Sequence, residues 1–270
     1  MLSATEKPWK SPTILYLARR LQSISQGEKI AVLDMGCGDG TVIEFLFDYG
    51  YDLYGYDFPK RQASLQKRLE PYFGQEFEKH IRFMKNERVI PFDENSFDVI
   101  YANQVFEHVQ FLESMISECS RVLKPGGILL ANFPLATDPI EVHLKIPFAH
   151  WLPPGNLRTR YLYLFYLLGL RPKPKGVLPI ERAIDHDRYL KNQTYYRFMN
   201  EIQGVGGYYF EKVALETNFF VRAKLDMMSI SSKVTDRLLS SLINKINQPL
   251  IDYICTNFIN AAFSFENPKK

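Results

Sequence analysis

Apolar and polar positions in the first half of the chain alternate between a strand period and a helix period. Ile30–Asp34 is a short apolar run that ends in a carboxylate. Thr41–Tyr49 sets Val42, Phe45, Leu46 and Tyr49 on one side of a helix, and Asp52–Asp57 is a second strand that again ends in a carboxylate. Gln62–Tyr72 reads as a helix, Ile81–Met84 as a third strand and Phe97–Ala102 as a fourth. A helix from Phe111 to Leu123 carries Leu112, Met115, Ile116, Cys119, Val122 and Leu123 on one broad apolar face. Lys124-Pro125-Gly126-Gly127 is predicted to stop it, and Ile128–Phe133 forms the fifth strand. This alternation predicts an open, doubly wound, mostly parallel α/β sheet.

The texture changes after Pro134. From Ala136 to Gly206 the chain is rich in Pro, Tyr, Arg and His without strand–helix alternation, which predicts an inserted lid over the carboxyl edge of the sheet. Core character returns with a predicted helix at Phe210–Thr217, a turn at Asn218 and a strand at Phe219–Asp226. Thr235–Phe263 reads as largely helical, interrupted at Pro249, and Phe263–Phe265 as a last edge strand or a helix end. The expected division is a ligand-binding core over 1–135, a lid over 136–206 and a completion of the core over 207–270.

Composition narrows the classes. An apolar fraction of 46% in 270 residues supports a real core, and 33 basic against 30 acidic side chains give no concentrated basic character of the kind nucleic-acid binding needs. Cys37, Cys119 and Cys255 are widely spaced and odd in number, which suits a reducing cytosol and hence a cytoplasmic protein. The first residues lack the apolar stretch of a signal peptide. The apolar run Tyr161–Leu170 is too short to span a bilayer, though a peripheral contact there stays open. Lys269 and Lys270 read as a solvated tail.

The strongest local signal is Val32-Leu33-Asp34-Met35-Gly36-Cys37-Gly38-Asp39-Gly40, a strand running through glycines into a helix. Gly36 and Gly38 let the backbone bend and approach a ligand closely. The spacing is Gly-x-Gly-x-Gly, whereas a dinucleotide fold uses Gly-x-Gly-x-x-Gly to seat a pyrophosphate. Asp34 at the strand end would repel a pyrophosphate and welcome a cation. Asp57 ends the second strand at the offset from which a carboxylate reaches ribose hydroxyls. Together they point to a cationic, phosphate-free nucleoside.

With VLDMGCGDG, YGYD, NERVIPFDENSFDVIYANQVFEHV and ECSRVLKPGGILLANFP in order over roughly residues 30–135, the chain resembles the class I S-adenosylmethionine-dependent methyltransferases, in the subgroup acting on small molecules, lipids and sugars. The resemblance implies a Rossmann-like sheet with S-adenosylmethionine as cofactor. It implies that Asp34, Gly36, Cys37 and Gly38 line the methionine end, that Asp57 binds the ribose, and that Phe58 lies beside the adenine. Asn86, where the family often has Asp, would accept from the adenine amino group, with Glu87 following; Asn103 and Gln104 would border the sulfonium.

Methyl transfer from a sulfonium needs collinear donor, methyl and acceptor, with removal of a proton from the acceptor. No metal is demanded, and no His-Glu-x-x-His spacing is present. Asn103-Gln104-Val105-Phe106 replaces the Asn-Pro-Pro-Tyr element of amine methyltransferases on this fold, which favours an oxygen acceptor. His143 is the leading base, followed by His150, with His108 of Glu107-His108-Val109 as a third candidate. Arg158, Arg160 and Arg171 flank the Tyr161–Leu170 stretch and suit an anionic substrate group or a solvated helix edge. Tyr161, Tyr163, Phe165 and Tyr166 suit a sugar or a lipid tail. A short likeness of residues 143–154 to bacterial surface-polysaccharide methyltransferases makes a glycan or glycolipid the leading acceptor. A quinone-like or lipid acceptor is the nearest rival, and a non-catalytic cofactor-binding module stands behind both.

Overall fold

A computed structural model describes residues 12–216, 220, 223 and 261–270. The chain opens with α1 (Pro12–Ser25), then runs β1 (Ala31–Met35), α2 (Thr41–Leu46), β2 (Asp52–Asp57), α3 (Gln62–Phe73), the single-turn α4 (Phe77–His80) and β3 (Ile81–Phe83). After these come β4 (Phe97–Asn103), α5 (Leu112–Val122) and β5 (Leu123–Phe133). The insertion holds the short hairpin β6 (Ile140–Glu141) and β7 (Ile146–Pro147), then α6 (Asn156–Leu167), α7 (Pro179–Asn192) and α8 (Met199–Tyr209). The sheet is completed by β8 (Phe210–Leu215) and β9 (Ala261–Pro268).

The sheet order is β3-β2-β1-β4-β5-β9-β8, parallel through β5 and antiparallel across β9 and β8. Both faces are covered, which explains why the strands read as unbroken apolar runs. Ile100 and Ala102 of β4 join Leu129 and Ala131 of β5 and the apolar face of α5 in one core layer. Val99, Tyr101 and Leu130 face the opposite layer with α1, α2 and α3. The strand order reverses between β1 and β4, so their carboxyl ends leave a crevice at the place where this architecture binds ligands.

Several expectations change. The helix α5 ends at Val122 and Leu123 is already extended; Lys124–Gly127 bulges out of β5, because Phe97 pairs with Leu123 but Val99 pairs with Ile128. Residues 210–215 form the strand β8 and not a helix, and Phe220 and Ala223 are helical where a strand was expected. Phe263–Phe265 lies in an inner strand between β5 and β8, not at an edge. The end of the chain is tied down, with Lys270 Nζ donating to the carbonyls of Ser120 and Leu123 at 2.9 and 2.7 Å. Of the helix expected over Thr235–Phe263, residues 261–263 belong to the strand β9, and the rest, with its break at Pro249, lies outside the described residues.

The insertion has a core of its own, where Leu144, Ile146 and Ala149 pack with Leu162 and Tyr166 of α6 and Ala183 and Leu190 of α7. Arg158 is buried there and pairs with Asp187 at 2.6 Å, so it is neither a solvated edge nor a free anion anchor. Arg171 donates to the carbonyl of Lys145, while Arg160 is exposed. Among the described residues no helix is long and apolar enough to cross a membrane.

Candidate active site

The glycine turn is built on three left-handed residues, Gly36 at φ 67°, Gly38 at φ 59° and Gly40 at φ 80°. The N–H groups of Gly36 and Cys37 both donate to the carbonyl of Tyr56, at 3.0 and 3.2 Å, which folds the turn back over β2. A Cβ on Gly36 would stand 2.7 Å from Cγ2 of Val105, so the residue after Gln104 packs directly on the turn. Asp57 completes the link. Its Oδ2 accepts from the Gly38 N–H and its Oδ1 from the Phe58 N–H, both at 2.6 Å. Each oxygen keeps a further lone pair for a hydroxyl donor.

Asp34 stands in a different condition. It is buried, and its Oδ2 has no hydrogen-bond partner. Burial first, and the neighbouring Asp57 and Asp39 charges after it, push its carboxyl well above the ordinary range. A positive or hydrogen-donating ligand group at this turn would relieve both effects. These residues therefore fit a nucleoside carrying an ammonium and a sulfonium: an unpaired buried acceptor, a backbone cradle a side chain would fill, and a carboxylate fixed at the second strand end.

The other expected cofactor residues divide. Phe58 is 41% exposed beside Asp57, free to cover a flat ring. Asn103 Oδ1 accepts from Asn132 Nδ2 at 3.0 Å, and the Gln104 N–H donates to the Asn132 carbonyl at 2.7 Å, so β4 and β5 brace each other at the crevice. Gln104 holds φ 56°, a conformation that costs a non-glycine residue about 1–3 kcal/mol. Cys37 is buried with its thiol against Gly55 and its N–H and carbonyl both engaged, so its side chain belongs to the core. Asn86 and Glu87 are exposed; Asn86 Oδ1 accepts from the Arg88 N–H at 2.9 Å. Asn86 also lines a cleft of about 830 Å³ beside α3 and β3 that includes none of Asp34, Gly36, Asp57 or Gln104.

Two of the three histidines meet across the crevice mouth. His108 ends a single 3-10 turn after β4, and His143 sits between β6 and β7 in the insertion. Their Nε2 atoms are 3.3 Å apart. His108 Nδ1 lies 2.6 Å from the Gln193 carbonyl, and His143 Nδ1 lies 2.8 Å from Glu141 Oε1 and 3.0 Å from the Tyr196 hydroxyl. Tyr196 also donates to Glu141, whose carboxyl these contacts hold below the ordinary range despite burial. His150 stands apart: its ring lies 4.6 Å from that of Tyr196, and neither of its buried nitrogens makes a regular hydrogen bond. Burial pushes its pKa down, with the Ala136 carbonyl and Glu141 opposing.

Glu107 stands beside the candidate base His108 in the sequence and is not itself among the residues the sequence marks. It is 1% exposed, neither carboxyl oxygen has a partner, and burial raises its pKa to about 8. Arg197 fixes this corner, donating to the carbonyls of Val109 at 2.8 Å and Gln110 at 3.0 Å while pairing with Glu201 at 3.1 Å. The Tyr195 N–H reaches the Glu107 carbonyl at 2.6 Å.

Residues 33–131 match the methyltransferase domain model. A human (Homo sapiens) mitochondrial ubiquinone biosynthesis O-methyltransferase is 34% identical over 101 residues, covering 36% of this chain and 27% of that protein. The ubiquinone biosynthesis O-methyltransferase of Nitrosococcus oceani is 32% identical over 172 residues, 61% of this chain and 63% of its own length. The sterol 24-C-methyltransferase ERG6B of Gibberella zeae is 36% identical over 126 residues, 46% of this chain and 32% of that protein. The chain thus spans less than two thirds of each of these relatives. Residues 33–131, which hold the glycine turn and both strand-end carboxylates, thus carry a methyltransferase domain.

Proposed function

We propose that this protein transfers the methyl group of S-adenosylmethionine to an oxygen of a small, largely apolar acceptor, quinone-like or lipid in class. The reading is carried by the two carboxylates that flank the glycine turn, one with an unpaired buried oxygen and one fixed by two backbone N–H groups. When bound, the cofactor supplies an electrophilic methyl on a sulfonium. Asp34 and the Gly36–Gly38 backbone would face the amino-acid end, Asp57 would accept from the ribose hydroxyls, and Phe58 would cover the adenine. Asn103 and Gln104 would border the reacting end. Asn86 and Glu87 fall to the rim, given where Asn86 points its oxygen.

On the acceptor side, residues 136–206 act as the lid, and His143 with His108 receives the departing proton at an Nε2 atom. Positioning does the rest, because displacement at a methyl asks for alignment more than for acid–base strength. His150 packs against the ring that holds His143 and serves position rather than proton transfer. An oxygen acceptor is supported by the ubiquinone-pathway relatives and by the lack of an Asn-Pro-Pro-Tyr element. The apolar class is favoured over a soluble glycan by the leucines that α6 and its end leave to solvent, among them Leu157, Leu164, Leu168 and Leu170. A cytosolic protein that touches a membrane surface is consistent with this.

Calorimetric titration with S-adenosylmethionine, followed by assay of S-adenosylhomocysteine with detergent-dispersed quinols, lipids and nucleotide sugars, tests the proposal. Asp57→Ala is expected to weaken cofactor binding by roughly 1.5–3 kcal/mol through loss of charge-assisted hydrogen bonds. Absence of cofactor binding would end the reading. Binding with no product from any acceptor would leave a non-catalytic module, and product from nucleotide sugars alone would overturn the acceptor class.

A further inference from the structure

The two imidazoles at the crevice mouth have their tautomers fixed from behind. The Gln193 carbonyl can only accept, so His108 Nδ1 carries the proton. The Glu141 carboxylate accepts from His143 Nδ1 in the same way. Each neutral ring therefore presents a bare lone pair at Nε2, and the two lone pairs face one another at 3.3 Å. Such an arrangement is repulsive until something positive stands between them.

A third donor is close by. Glu107 is buried with both oxygens unpartnered, and a carboxyl oxygen of Glu107 and one nitrogen from each histidine lie within 4.8 Å of one another. A proton shared between the histidines would answer the facing lone pairs but would leave Glu107 unexplained. A cation bound by all three answers both. The spacing is informative as well: two imidazole nitrogens on one tetrahedral Zn²⁺, each at about 2.0–2.1 Å, stand about 3.3 Å apart. The Glu141 carboxylate behind His143 is the outer partner that metal-bound histidines commonly have, and the Gln193 carbonyl plays that part for His108. His108 is exposed, which leaves the ion an entry path and an open coordination position.

We propose that Glu107, His108 and His143 form a binding site for one divalent transition-metal ion of the Zn²⁺ type. The Glu107 carboxylate closes the remaining distance when the ion enters. With the ion bound, both Nε2 lone pairs would be spent on it, so an acceptor oxygen in the open position would be made acidic by the ion's charge and would lose its proton to solvent in place of an imidazole. That use rests on the methyl-transfer reading; the binding of the ion does not.

The test uses the full chain, stripped with a chelator, dialysed and titrated with zinc chloride by calorimetry. One site per chain is expected, together with the intense visible absorption of a four-coordinate ion when cobalt(II) replaces zinc. Glu107→Gln and His143→Ala should each weaken zinc binding at least tenfold. Should either variant fail to fold by circular dichroism, the unaltered protein decides. Zinc should then protect His108 and His143 from diethyl pyrocarbonate, read by peptide mass spectrometry, while His186 reacts as before. No saturable zinc binding, protection at other histidines only, or wild-type affinity in the folded variants would overturn the site. None of these measurements uses methyl transfer, so their failure would leave the cofactor reading untouched.

Discussion

Asp34 and Asp57 end neighbouring parallel strands and differ in what surrounds them. Asp57 receives two backbone N–H groups, while the Oδ2 of Asp34 receives none. The difference follows from the turn, whose N–H groups at Gly36 and Cys37 are spent on the Tyr56 carbonyl and whose N–H at Gly38 points to Asp57. Gly36 is the residue on which this depends. Its φ of 67° disfavours a side chain, and a Cβ there would press on Val105 at 2.7 Å. Gly36→Ala should cost about 1–3 kcal/mol of stability through backbone strain and crowding. It should also displace Val105 and with it Gln104, so cofactor affinity should fall as well. Denaturant unfolding with a paired cofactor titration would check this; unchanged midpoint and affinity would remove Gly36 from the cradle.

At the scale of elements, the legible parts are those whose pattern is local. The strands Asp52–Asp57 and Phe97–Asn103 and the helix Leu112–Val122 carry their partners' requirements in their own periodicity. The strand Phe210–Leu215 does not: an edge strand with exposed Glu211 and Lys212 mimics a helix, and its ladder comes from β9 near the end of the chain. The crevice divides the same way. Asp34, Gly36 and Asp57 sit in one contiguous motif, whereas His108 and His143 approach only because Arg197 and Tyr195 stitch the loop after β4 to the insertion. No spacing rule joins residues 108 and 143, and Glu107 looks ordinary until its oxygens are found without partners. The insertion's own stability rests on Arg158 and Asp187, a buried pair with Gly155 donating to the same carboxylate. Asp187→Ala would leave Arg158 buried and unpaired, with an expected loss of about 3–5 kcal/mol. Limited proteolysis should then cut between α6 and α7 first; a variant as resistant as the parent would show that the pair is dispensable.

For the molecule as a whole, stability against pH is set by buried groups that pull in opposite directions. Burial and the Arg182 charge hold His186 down to about 4, with Glu141 and Asp185 opposing and Tyr166 at its Nδ1. The unfolded chain binds that proton near 6.5, so His186 makes the fold lose stability as pH falls from about 6.5 towards 4. Asp138, 4% exposed with only the Leu135 N–H at one oxygen, is pushed up to about 7 by burial. Between its ordinary value of 3.8 and about 7 the folded protein is the one that holds the proton, so Asp138 makes the fold lose stability as pH rises through that window. The two slopes oppose each other from about pH 4 to 6.5, and above that Asp138 acts without the opposing histidine. Asp138→Asn imitates the protonated acid, keeps an acceptor for the Leu135 N–H and removes the cost of ionisation. Its thermal midpoint should exceed that of the parent at pH 8 and match it near pH 4, with the gap opening through the window between. A gap independent of pH would mean that Asp138 acts through packing alone, and the alkaline arm would then rest on Glu107, whose carboxyl burial raises to about 8.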